Sequence, residues 1–221
     1  MLRFMTLLLA ASTFGNGATV HDFNDYVDKV VGSTLPPLIR NAHSLYPETR
    51  IPFHRFELSE EFAWQNDIEV RLTEGAVKEL DVVTERSGSC SHPSEVMGAT
   101  VTTCTLDLSQ HQATYTVQTN RGEHIFARRK RFSVDVRVPS ATASVVLASN
   151  RTLNARLVSF HLNHIGLEIS YDRDFDLDAS RHEKSWDEVD RSTRSELIKI
   201  LEGSDFTALS QAFANTCFAC R

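Results

Sequence analysis

From Phe23 onward the apolar residues fall at Phe23, Tyr26, Val27, Val30, Val31, Leu35, Leu38, Ile39, Ala42 and Leu45, the three-and-four spacing of a helix with one apolar stripe. Gly32, Ser33, Pro36 and Pro37 lie inside that stretch. Proline breaks a helix interior but suits a first turn, so the helix is expected to kink or split there, with its second piece beginning on the prolines. The middle of the chain has period two. Ile68, Val70 and Leu72 alternate with Asp67, Glu69 and Arg71, and Thr102, Cys104 and Leu106 face away from Val101, Thr103 and Thr105. Phe132, Val134, Val136 and Val138 alternate with Ser133, Asp135 and Arg137, and Ile165, Leu167, Ile169 and Tyr171 with Gly166, Glu168 and Ser170. These are half-buried strands. Turn signals at 73–75, 87–88, 120–122 and 149–154 favour a long antiparallel meander over parallel crossovers. After Ser180 the period is helical again, with Trp186, Val189, Leu197, Ile200 and Leu201 on one side; after Gly203 a Ser-Asp start leads into Phe206, Leu209, Phe213 and Cys217.

Helix, antiparallel sheet, helix is an α+β order. A strongly curved sheet whose apolar face is covered by long helices from both ends of the chain buries all three sets of stripes at once. The interior of such a fold is expected to be lined by Phe23, Tyr26, Val27, Val30, Val31, Leu35, Leu38 and Ala42 from the first helix. From the strands it takes Phe132, Val134, Val136, Ile165, Leu167 and Ile169. Core and cavity wall look alike in sequence, and core is the commoner role.

The N-terminus adds a compartment. Arg3 precedes an apolar run over residues 4–11, then come Gly15, Gly17 and Ala18, the order of a secretory signal peptide and too short a run to span a bilayer. Residues 1–18 are read as that signal and residues 19–221 as one domain with no transmembrane anchor. Lys plus Arg is 23 against 29 for Asp plus Glu, a formal charge of −6 that becomes more negative once Arg3 is removed, which argues against nucleic acid as a partner. Four cysteines remain, Cys90, Cys104, Cys217 and Cys220, and an even count in an oxidising compartment suggests two bridges with three possible pairings. Cys90 with Cys104, across a polar stretch holding His92, Pro93 and Gly98, and Cys217 with Cys220 is the preferred set. A redox role for Cys217 and Cys220 is disfavoured because that pair closes the chain rather than opening a helix after a strand. Asn150-Arg151-Thr152 is a glycosylation sequon in a turn, and Asn215-Thr216-Cys217 a weaker acceptor.

Motifs for chemistry are sparse: there is no G-x-S-x-G, no H-E-x-x-H and no glycine-rich phosphate loop. No catalytic residue, metal or cofactor is expected. His161 and His164, three apart on a strand, should face opposite ways. Asp172, Asp174, Asp176, Asp178, Ser180 and Glu183 have the spacing of a calcium loop, but Leu177 stands where the sharp turn needs glycine. A continued strand with its aspartates on the solvated face is the expectation there. Arg128-Arg129-Lys130-Arg131 is the dense basic run of an acidic chain, at or near a hairpin tip. It reads as a solvated loop, as a proprotein-convertase site, or as a tip that touches anionic lipid surfaces.

The order of elements, the entry from Tyr46-Pro47 to Ile51-Pro52-Phe53 and the segment Leu157-Val-Ser-Phe-His-Leu-Asn-His-Ile-Gly-Leu-Glu-Ile-Ser170 resemble the tubular lipid-binding superfamily. That superfamily includes the mite group-7 allergens, the takeout and juvenile-hormone-binding proteins and the bactericidal/permeability-increasing proteins. The resemblance implies a super-rolled sheet around a long helix, enclosing an elongated apolar cavity for a lipid or other hydrophobic small molecule. Takeout-type proteins usually have a cysteine pair near the mature N-terminus. This chain has none, which makes the single-domain allergen-like branch the nearer comparison. The function expected is a secreted hydrophobic-ligand carrier; the alternative is a secreted interaction or immune-modulating protein with a filled core, acting through its surface.

Overall fold

The computed structural model describes residues 18–59, 67–81, 84–121, 128–150, 155–172 and 179–218, with the backbone alone at 121, 128, 129 and 179. Helix α1 (Val20–Lys29) starts at a capping box: Asp22 N–H donates to Thr19 Oγ1 at 3.2 Å while Thr19 N–H donates to the Asp22 carboxylate at 2.8 Å. The helix passes through a π turn (Val30–Thr34) into α2 (Leu35–Asn41), which carries both prolines in its first turn. The expected split is thus a change of pitch rather than a gap. Prolines 36 and 37 offer no N–H to the carbonyls of Gly32 and Ser33, and Leu35 N–H reaches back five residues to the Val30 carbonyl.

Among the described residues nine strands form one antiparallel sheet. They are β1 (Glu48–Ile51), β2 (His54–Leu58), β3 (Ile68–Lys78), β4 (Glu85–Ser87), β5 (Ser94–Val96), β6 (Ala99–Asp107), β7 (Gln112–Arg121), β8 (Arg128–Ser149) and β9 (Arg156–Tyr171). Several short strands are pieces of longer runs. β1 and β2 lie end to end along β3, while β3 pairs with β7 and β4 and β5 pair with β6. β6 and β7 together follow one edge of β8, from Thr100 opposite Ser149 to Arg121 opposite Arg128, and β9 follows the other edge. Across the β6/β7 joint, Leu108 N–H donates to the Ala141 carbonyl at 2.9 Å and Val138 N–H to the His111 carbonyl at 3.0 Å. The path is the expected meander, written in five long runs.

Two expectations about this sheet need correction. Residues 73–75 are not a turn between strands but a bulge inside β3, with Glu74 at φ 52° and the register shifting between Thr73 and Ala76. Gly75 is required there by close approach: a Cβ would lie 2.8 Å from Tyr115 Cε1 and 2.9 Å from Ile51 Cβ. His161 and His164 do not face opposite ways. The pairing slips between Thr142–His164 and Ala143–Leu162, and the residue so inserted, Asn163, brings both histidines to the exposed face. β9 itself ends at Tyr171; exposed Asp172 still donates its N–H to the Ser133 carbonyl of β8 at 3.2 Å, and Asp174, Asp176, Asp178 and Leu177, on which the expected continuation falls, lie outside the described residues.

Helix α3 (Ala179–Ile200) runs through a second π turn (Leu201–Asp205) into α4 (Phe206–Asn215). The fresh helix start expected after Gly203 is not there: Asp205 makes no capping bond, and Phe206 N–H reaches back to the Leu201 carbonyl, so the helix continues. Inward strand positions, among them Val70, Leu72, Leu106, Val134, Val136, Val145 and Leu147, are sealed against the stripes of the helices in a single apolar cluster.

Candidate functional site

The apolar face of the sheet and the helix stripes meet in one buried cluster, at the place where a ligand was expected. Phe23, Tyr26, Val27, Val30, Val31 and Leu35 on the N-terminal helix are buried, as are Phe132, Val134 and Val136 on β8 and Ile165 and Ile169 on β9. Leu38, Ala42 and Leu167 are only partly buried and pack at the margin of this cluster. The fold therefore brings eleven of the fourteen residues into one buried group, with the other three at its rim.

The interior is not uniformly apolar. The Tyr26 hydroxyl sits 2.8 Å from the Ala155 carbonyl and 2.5 Å from the Phe213 carbonyl, donating its one proton between them, and burial pushes its pKa well above the usual phenol value. This contact fastens α1 to the residue that leads into β9 and to α4. Under α3, Thr193 Oγ1 donates to the Tyr115 hydroxyl at 3.1 Å, and burial pushes the Tyr115 pKa up to about 12, against the effect of that bond. Arg181 and Ser185 are buried near the start of α3, where the rings of Phe132, His182 and Trp186 surround Tyr171. Elsewhere the buried positions are apolar, among them Leu106 on β6, Ala143, Val145 and Leu147 on β8, and Leu209 and Phe213 on α4.

Two titratable groups in this interior were missed by the sequence reading. Asp205, at 4% exposure, is on the inward stripe of the C-terminal helix, and burial alone raises its pKa to about 7. His111, at 2% exposure, plugs the β6/β7 joint; burial lowers its pKa to about 4, with the Glu79 backbone and then the Asp107 carboxylate pulling the other way. The spacing of Leu197, Leu201 and Leu209 could have flagged Asp205 as a polar residue at a core position. His111 gave no such signal, since the alternation restarts next to it.

Cys90 and Cys104 are bonded, S–S 2.01 Å, as preferred from the sequence. Cys217 is also disulfide-bonded, and Cys220 lies outside the described residues. The bridge ties down the base of the β5–β6 hairpin, whose tip presents Val96 at 49% and Met97 at 103% exposure. Arg128, Arg129, Lys130 and Arg131 open β8 beside the β7–β8 connection. Lys130 and Arg131 are exposed, and Arg131 is held by Glu74 at 2.8 Å. Asn150 is exposed just past the end of β8. Among the described residues no group of three or more His, Cys, Asp or Glu is placed to hold a metal ion. None of the described helices is long and apolar enough to cross a membrane.

No protein-family model matches the chain. Salivary anticoagulant protein P23 of Ixodes scapularis is 25% identical over 220 residues, covering 99% of each chain. The crystal structure of lipopolysaccharide binding protein matches with a TM-score of 0.50 at 12% identity, over 87% of this chain and 39% of that one. This chain thus spans about two fifths of that protein's length. Takeout 1 of Epiphyas postvittana matches at a TM-score of 0.39 and 9% identity, over 87% of this chain and 92% of the other. None of the three is named for a catalytic activity. Over 87% of this chain the fold is shared with lipopolysaccharide binding protein, and it has the α+β order, a long antiparallel sheet with helices from both ends of the chain, that the sequence led one to expect.

Proposed function

We propose that this protein is a secreted carrier of a lipid or other hydrophobic small molecule, held between the N-terminal helix and the concave face of the sheet. The observation that supports it best is the single buried cluster joining both helices to every long strand run. Phe23, Tyr26, Val27, Val30, Val31 and Leu35 would face the ligand from the helix; Phe132, Val134, Val136, Ile165 and Ile169 would face it from the sheet, with Leu38, Ala42 and Leu167 at the mouth. Delipidated, folded protein should take up a fluorescent fatty acid, sterol or other apolar probe. Val31→Trp, which crowds the interior, should reduce uptake while largely keeping the cooperative thermal transition. Wild-type protein that takes up no apolar probe would remove the carrier reading.

One observation favours a second reading, in which the surface is what acts. The full-length relative is named a salivary anticoagulant, and a protein of that kind can work on plasma proteins with its core filled. Delipidated protein that prolongs plasma clotting as well as ligand-loaded protein does would favour this reading. Export through the signal at residues 1–18 and glycosylation at exposed Asn150 belong to both readings; a mass shift on deglycosylation checks the latter. The basic run at the start of β8 is proposed as a contact for anionic lipid surfaces. Vesicle binding unchanged when Arg128, Arg129, Lys130 and Arg131 are all replaced by serine would exclude it.

A further inference from the structure

The buried stripe of the C-terminal helix runs Thr193, Leu197, Leu201, Asp205, Leu209 and Phe213, and each of these is at most 4% exposed. Its two polar members differ. Thr193 bonds to Tyr115 across the interior. Asp205 accepts no hydrogen bond and faces no cation among the described residues; burial is the one influence on its pKa, and it caps no helix. A leucine would fit the stripe and avoid the cost of burying a carboxyl without a partner. The residue also closes a π turn, a local irregularity that recurs at functional sites.

We propose that Asp205 receives the basic nitrogen of an apolar ligand carried in the interior, so that the cargo is a hydrophobic amine rather than a fatty acid. The assignment rests on the carrier reading and adds the chemistry of the head group. Leu201, Leu209 and Phe213, packed on the same stripe, are the apolar neighbours against which the body of such a cargo would have to insert. An ammonium placed against Asp205 forms a charge-assisted hydrogen bond, an alcohol makes only an ordinary one, and a fatty acid brings a second carboxyl to a place that already disfavours one.

One alkyl chain with three heads tests this. Dodecylamine, dodecanol and dodecanoic acid are titrated by calorimetry, below their micellar concentrations, into the delipidated full-length protein at pH 7.5. Wild type should bind the amine at least about tenfold more tightly than the alcohol, with the acid weakest. Asp205→Leu should bring the three within about threefold of one another and raise the thermal midpoint, because it removes a carboxyl without a partner. Asp205→Asn should lose the preference for the amine while keeping the alcohol. Equal binding of the three by wild type, or a preference for the acid, overturns the amine assignment and leaves the carrier reading standing. Binding of none overturns both. A lower midpoint in Asp205→Leu, or an amine preference that survives in Asp205→Asn, shows that the fold rather than a ligand uses the carboxyl, and overturns the proposal.

Discussion

Two places in this chain solve the same backbone problem with nearly the same residues. The first π turn contains Gly32-Ser33-Thr34 and leads into Leu35; the second contains Gly203-Ser204-Asp205 and leads into Phe206. In neither is the glycine forced by crowding, since a Cβ at Gly32 or Gly203 would meet nothing within 4 Å. Each glycine instead loosens a helix interior, and the pitch changes there. The third residue separates the two. Thr34 is satisfied, its Oγ1 lying 2.8 Å from that of Thr216, which also reaches the Ala212 carbonyl at 2.8 Å. Asp205, in the equivalent place, has no partner among the described residues. The backbone does not need an acid at that position, because the first turn manages with a hydroxyl. What the difference teaches is that Asp205 costs stability without serving the turn, which is why a ligand role is assigned to it.

The largest test of this contrast is the pH dependence of stability. Burial raises the Asp205 pKa from 3.8 to about 7, so the folded chain holds this proton more tightly than the unfolded chain does. The stability it contributes is complete below the unfolded value and is lost as pH rises to about 7, beyond which the slope is flat. Roughly three pH units at about 1.4 kcal/mol each set an upper bound near 4 kcal/mol. Asp205→Leu should therefore be more stable than wild type by about 2–4 kcal/mol at pH 8, with the gap narrowing as pH falls and closing near about pH 4. Urea unfolding across that range reads it. A gain that is the same at both ends would mean that Asp205 does not titrate in the fold, and the two turns would then differ only in shape.

A somewhat smaller effect of opposite sign comes from His111, whose pKa burial lowers from 6.5 to about 4. Here the contribution is present above the unfolded value and is lost as pH falls towards 4, to a total on the order of 3 kcal/mol. The two slopes oppose each other between about pH 4 and 6.5, so wild type should show a shallow profile. Asp205→Asn should uncover the histidine slope, stability falling steadily with acid, and adding His111→Gln should flatten it again. A shallow profile in Asp205→Asn alone would show that the wild-type balance does not come from these two groups.

Much of this fold was legible in the sequence, because most elements have one buried face and period decides which face it is. The inward sets at Ile68, Val70 and Leu72, at Thr102, Cys104 and Leu106, and at Phe132, Val134 and Val136 follow from alternation alone. Alternation failed where the backbone gains a residue. The bulge at residues 73–75 looked like a turn because Gly75 is a turn former, and the extra residue at Asn163 reversed the facing of His164 relative to His161. Helical period failed for the same reason at Gly203, where polar residues resembling a cap belong to a widened turn of an unbroken helix. The interior was legible as an apolar surface. Its polar exceptions were not, because Asp205, Arg181 and Ser185 are of residue types that normally face solvent, and only the helix packing shows that they do not.

The smallest expected effect belongs to the satisfied turn and serves as its control. Thr216→Val keeps the volume at a site 3% exposed and removes the hydroxyl that joins Thr34 to the Ala212 carbonyl. The loss should be about 1 kcal/mol, the usual net worth of one such hydrogen bond, since partly exposed Thr34 can turn to water. Neither hydroxyl titrates between pH 4 and 8, so the loss should be constant across the window in which Asp205→Leu changes most. It should also leave the order of amine, alcohol and acid binding as in wild type, because Thr34 and Thr216 bond to each other and to backbone rather than to cargo. Chemical denaturation at pH 4.5 and 8, together with the three-head titration, measures all of this on one variant. If Thr216→Val shifted head-group preference as strongly as Asp205→Asn, the two turns would act as one coupled unit across the α4 packing, and selectivity could no longer be assigned to the carboxyl alone.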